Sequence, residues 1–187
     1  CCRLHCITAM HKGGAGMSIE ITLTGSEHLR QALSQLDMGM FQKVIRASAK
    51  RAATAARTTG AKSIRGIYTI KSGDLKSRAS IQANGEGAKL RIRGSMENIT
   101  KYSARRNSRG VFVTVKRGNR AKVPRGFTIG GRFVARRGKE RYPLRGIYGP
   151  AVPQLFGNPE VMDAMQERAG EIFETRVMHE ISYRLGV

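Results

Sequence analysis

The chain has 187 residues, with 34 Lys and Arg against 13 Asp and Glu, a net charge of +21, 40% hydrophobic residues, 6% aromatics and no Trp. That length and apolar content support a real core in one domain, and the charge calls for a polyanionic partner: nucleic acid first, an acidic protein second, an anionic membrane third. No apolar run is long enough to span a bilayer and no stretch has the basic-then-apolar form of a signal peptide, so a soluble protein made in a cytoplasm is expected.

All three cysteines (Cys1, Cys2, Cys6) fall in the first six residues, where with His5 they spell CCRLHC. These are metal-ligand residue types without ligand spacing, so a structural zinc site is the lesser expectation. The string Lys12-Gly13-Gly14 ahead of Met17 has the form of a translated ribosome-binding stretch. Residues 1–16 are therefore expected to be a non-native leader, with a single α+β domain over 17–187.

SIEITLTG alternates Ile19, Ile21 and Leu23 with polar residues and reads as a half-buried strand that ends at Gly25. Ser26 can cap a short helix through EHLRQALSQL. A longer helix is expected from about Met38 to Ser63, with Phe41, Val44, Ile45, Ala49, Ala52 and Ala56 on one face and Lys43, Arg46, Lys50 and Arg57 on another. Its many alanines favour helix and allow a neighbour to come close. Lys71 to Leu75 reads as a turn or helix start. In AKLRIRG, Leu90 and Ile92 face one way and Lys89, Arg91 and Arg93 the other; in VFVTVK, Val111, Val113 and Val115 share a face. FTIGGRFV is a hairpin signal around Gly130-Gly131. Asn158-Pro159-Glu160 opens a last helix to about Leu185, with Met162, Met165, Ala169, Ile172, Phe173, Val177 and Ile181 buried. The fold class is α+β: an N-terminal strand and two helices, central antiparallel hairpins with basic loops, and a long C-terminal helix.

Charge is segregated. Residues 101–145 hold 15 Lys and Arg and one acid, Glu140, whereas residues 158–187 hold six acids and three arginines. RRNSRG, KRGNRAK and RRGKER read as basic loops and hairpin tips suited to a phosphate backbone. The candidate nucleic-acid-facing residues are Arg105, Arg106, Arg109, Lys116, Arg117, Arg120, Lys122, Arg125, Arg132, Arg136, Arg137 and Lys139. Tyr102, Phe112, Phe127 and Phe133 are spaced like strand residues, and most of them are expected in the core rather than as a base-stacking platform.

Catalytic chemistry is hard to assemble. His28 and His179 have no carboxylate cluster beside them, and His5 and His11 lie in the leader. Glu160, Asp163, Glu167, Glu171 and Glu174 lie broadly on one helix face, which fits a solvent- or partner-facing stripe better than a metal site. GGRFVARRGK has phosphate-loop residue types at the wrong spacing. No enzyme, cofactor or metal site is expected.

RYPLRGIYGPAVPQLF, Arg141 to Phe156, combines prolines with Leu144, Ile147, Tyr148, Val152, Leu155 and Phe156. Within Gly131–Phe156, the positions Gly131, Arg132, Phe133, Gly138, Arg141, Pro143, Leu144, Ala151, Val152 and Pro153 resemble the distal part of the phage minor tail protein Z family of lambda-like siphophages. The Ala-rich helix from Phe41 to Lys62 and KSGDLKSRASI are similar in character, and taken loosely the likeness runs from Met17 to Val187. The resemblance implies a virion protein of a phage or prophage, at the head-proximal end of the tail and made in the bacterial host cytoplasm. It would act in tail completion and head–tail joining beside the tail terminator, tail tube and head connector, as a homo-oligomeric ring around genome DNA, with no membrane contact. The family has no catalytic residues to carry over. Pro143, Leu144, Tyr148, Pro150, Val152 and Pro153 would then form a stiff assembly strap. The alternative is a non-specific nucleic-acid-binding protein of nucleoid or ribosome-associated type.

Overall fold

The computed structural model describes residues 6–13, 16–24 and 37–185. The helix expected at 26–36, His28 and most of CCRLHC lie outside the described residues. The fold is α+β, with antiparallel sheets and a long C-terminal helix.

A four-stranded antiparallel sheet runs in the order β1 (Cys6–Gly13), β2 (Gly16–Thr24), β4 (Gly87–Gly94), β3 (Ala79–Ala83). β1 falls inside the segment read as leader and pairs with β2 from Cys6↔Leu23 to Gly13↔Gly16. The expected strand is β2. Its Ile21 aligns with Leu90, which aligns in turn with Ile81, so apolar residues line up across the sheet. Leu90 and Ile92 are buried while Lys89 and Arg93 are exposed, the alternation expected of AKLRIRG.

Helix α1 (Met38–Ile67) starts at Asp37, whose side chain accepts a bond from the Gly39 amide at 3.2 Å. It runs four residues past the expected end at Ser63. The reason is a docked C-terminus: the amide of Arg117 donates to the Ile67 carbonyl at 2.8 Å, and its Nε donates to the Arg65 carbonyl at 2.7 Å. Lys43, Arg46 and Lys50 are exposed as expected. Arg57 leaves that stripe, being half-buried, with its guanidinium donating to the Ala79 carbonyl on β3 at 3.3 Å. Helix α2 (Ser72–Ser77) follows, with Leu75 buried.

α1 packs on the four-stranded sheet and on the long C-terminal helix, α4 (Pro159–Leu185). The small residues Ala49, Ala52, Ala53, Ala56 and Gly60 are buried on α1. A methyl group at Gly60 would collide with Met165 and with the ring of Phe156. α4 opens at Asn158, whose side chain accepts from the Glu160 amide at 3.2 Å. Met162, Met165, Ala169, Phe173 and Val177 are buried, with Ile172 and Ile181 at the margin of the core.

The Arg141–Phe156 segment, expected as a connecting strap, is largely regular structure. It forms β11 (Leu144–Gly146), β12 (Tyr148–Ala151) and helix α3 (Val152–Phe156). β12 pairs with β5 (Met96–Asn98) through a register shift between Tyr148 and Ala151, and Pro150 sits inside that irregularity, where the ladder needs no N–H. Val152, Pro153, Leu155 and Phe156 are buried in this chain's own core, whereas Pro143 and Tyr148 are exposed and Leu144 and Pro150 half-buried.

Candidate nucleic-acid interface

Two small antiparallel sheets carry the basic segment. The first is β6 (Ser103–Asn107), β7 (Gly110–Thr114) and β8 (Arg120–Val123); the second is β9 (Gly126–Ile129), β10 (Arg132–Arg136) and β11. Thr69, just beyond α1, anchors the first. Its hydroxyl donates to the Thr114 carbonyl at 2.5 Å and accepts from the Ser103 amide at 3.1 Å.

Register sorts the side chains. Arg105 pairs with Phe112, which pairs with Lys122, and Thr114 pairs with Arg120. These residues share one face. Ala104, Val111, Val113 and Val123 share the other and belong to the core or pack against it. In the second sheet, Arg132 pairs with Ile129, Phe127 with Val134, and Arg136 with Leu144, whereas Phe133 and Ala135 take the opposite, inward face.

The two outward faces share one device. The Arg120 guanidinium lies over the Phe112 ring at 4.5 Å from its centroid, and the Arg136 guanidinium lies over Phe127 at 5.2 Å. In each pair the ring attracts the cation through its π face and helps to position it. Core packing is the expectation for most of the four aromatics; Phe112 and Phe127 depart from it, each half-buried beneath an arginine. Tyr102 and Phe133 do pack with the core. The Tyr102 hydroxyl donates to the Pro150 carbonyl at 2.8 Å, and its burial pushes the phenol pKa far up.

All twelve candidate residues are exposed. The expectation of loops holds for half of them. Arg109, Lys116, Arg117, Arg125, Arg137 and Lys139 lie at turns and connections, while Arg105, Arg106, Arg120, Lys122, Arg132 and Arg136 stand on strands. Arg105, Arg120 and Lys122 are brought together on one face. Arg106, although next in sequence to Arg105, belongs to the opposite face because strand side chains alternate. Arg117 is committed to the α1 carbonyls, and Lys116 sits over the Tyr68 ring at 5.9 Å. Among the described residues, none of the twelve lies within 4.0 Å of a carboxylate; the ion pairs are Arg78–Glu97, Lys101–Asp74, Arg168–Glu171 and Arg184–Glu180. The Asp74 carboxylate bonds to the Lys101 ammonium and raises its pKa.

Glu160, Asp163, Glu167, Glu171 and Glu174 on α4 are all exposed. Among the described residues no group of three or more His, Cys, Asp or Glu could hold a metal ion, and no helix is long and apolar enough to cross a membrane. Compared with known proteins, the chain matches no family model, no curated protein and no solved structure.

Proposed function

We propose that the protein is a structural virion component of a tailed phage or prophage that acts in tail completion and head–tail joining, with its paired basic sheets turned toward genome DNA. One observation carries this reading: twelve cations are exposed on two adjoining small sheets and connections, and no described carboxylate neutralises them. Cations left without a carboxylate partner gain by releasing counterions from a phosphate backbone. They need no sequence-reading element, because phosphate contacts position a duplex without reading it.

Two further features support assembly. The acidic face of α4 offers a complement to basic surface on a second copy, as a ring around a DNA channel requires. The likeness of Gly131–Phe156 to minor tail protein Z points to the head-proximal end of the tail. No role as an enzyme is proposed. The test compares particles from producing strains with and without this gene, by mass spectrometry and electron microscopy. The expected result is the protein in particles and, in its absence, tails that form but do not yield infectious virions. Absence from particles together with co-purification on host nucleic acid would replace this reading with that of a nucleoid- or ribosome-associated binder.

A further inference from the structure

The turn between β8 and β9 joins the two small sheets, and it contains an anomaly. Arg125 has φ = 55°, the left-handed region, and is the only non-glycine residue with positive φ among the described residues. Pro124 precedes it and Gly126 follows, so the turn has proline first and a left-handed residue second, a place where glycine is the easy choice. The chain puts an arginine there instead. Strain of this kind persists where the surroundings hold it, and it gathers at functional sites.

The surroundings are a recess of about 440 Å³ lined by Arg125, Gly126, Phe127, Arg136, Gly138 and Lys139. Its volume lies within the range of small-ligand sites. Three cations converge on it, and among the described residues none has a carboxylate partner. Arg136 is placed by two contacts, its guanidinium over the Phe127 ring at 5.2 Å and its amide to the Arg125 carbonyl at 3.4 Å. The second contact ties the strained turn to the strand bearing the second arginine, and both residues line the recess. Gly126 keeps the turn tight, since a side chain there would press on Val123 at 3.1 Å.

We infer that this recess is a seat for a single phosphate group, held by Arg125, Arg136 and Lys139, which fixes the register of the polyanion on an otherwise diffuse basic surface. The inference rests on the polyanion reading and adds a discrete site to it. Fork-shaped guanidinium groups suit the oxygens of phosphate, and a lysine adds a point charge. The phosphate is either a diester within a strand or a monoester at a strand end.

The test uses the full chain, with backbone amide NMR shifts followed during titration with inorganic phosphate. The expected result is shifts confined to residues 125–127 and 136–139. Arg125→Gly should weaken phosphate binding roughly tenfold, as loss of one charge-assisted contact requires, while the melting temperature stays level or rises because glycine relieves the turn. Lys139→Gln, at an exposed loop position, should weaken binding without touching the turn. A blunt-ended duplex with and without 5′-phosphates then distinguishes the sources: a preference for the phosphorylated duplex identifies a monoester, and equal displacement of phosphate by both identifies a diester. Shifts spread evenly over all the basic hairpins, or unchanged phosphate affinity in Arg125→Gly, would overturn the seat. If the seat fails while duplex binding keeps a steep salt dependence, the polyanion reading survives alone; if phosphate binds locally and the duplex does not bind at all, it is the polyanion reading that fails.

Discussion

At the scale of single residues, the least replaceable side chains support the basic face rather than form it. Tyr102 is buried, its ring lies against Gly149, and its hydroxyl ties the end of the 3-10 turn Ile99–Lys101 to β12 through Pro150. Burial favours the neutral phenol, so the native state keeps this proton above about pH 10, where an unfolded tyrosine releases it. The native state then binds more protons than the unfolded state, and stability falls as pH rises through that range. At pH 8, Tyr102→Phe should cost about 1–2 kcal/mol, because the Pro150 carbonyl loses its donor. Melting temperatures from pH 8 to 11 should show the gap between wild type and variant closing above about pH 10; a constant gap would mean that Tyr102 does not titrate with unfolding. The outward arginines obey a different logic. VFVTVK already places Val111 and Val113 on one face, and the same alternation sends Phe112 to the other. The platform beneath Arg120 was thus legible from period alone, and general aromatic habit obscured it. The left-handed Arg125 was not legible, because Pro-Arg-Gly is compatible with a turn in which the glycine takes the positive φ.

At the scale of elements, the crossing of α1 and α4 fixes everything else. Alanines on α1 announce a close neighbour, and α4 has the buried positions its spacing requires. Gly60 is the tightest point. In a helix interior alanine is favoured over glycine by about 1 kcal/mol, yet a methyl here meets Met165 and Phe156. Overpacking of a filled core costs roughly 1–3 kcal/mol. Gly60→Ala should therefore lower stability in chemical denaturation despite better helix propensity, whereas a gain would show that the two helices have room to separate. The Arg141–Phe156 segment teaches a related point. Its prolines suggest a stiff connector, but Asn98, the partner of Tyr148 in β12, lies far off in sequence. Strand pairing of that range cannot be read from local composition, and β11, which pairs with the nearby β10, is a three-residue strand among prolines. The start of α1 at Met38 is as expected, while its C-terminal end runs past Ser63 for the same reason, since its last turn is completed by Arg117 from a distant connection.

At the scale of the whole molecule, charge is separated between a basic pair of sheets and an acidic helix face. The sequence carried that asymmetry openly, and the helix, the strands and the Gly130-Gly131 hairpin followed from period and turn chemistry. What it withheld was the sorting of cations: Arg105, Arg120 and Lys122 together on one face, Arg106 on the other, and Arg117 drawn into the scaffold. A surface of this kind makes affinity for nucleic acid a counterion-release effect, with a slope of about 0.9 per neutralised phosphate in a plot of log affinity against log salt. The most direct measurement is therefore that slope for a random-sequence duplex, for wild type and for the variant carrying Arg136→Glu, Arg137→Glu and Lys139→Glu. The expected result is a steep negative slope in the wild type, flattened by roughly two to three units in the variant, with the far-ultraviolet circular dichroism spectrum and melting temperature of a folded domain in both. A variant that binds DNA with the wild-type slope would contradict the proposal that this face meets genome DNA.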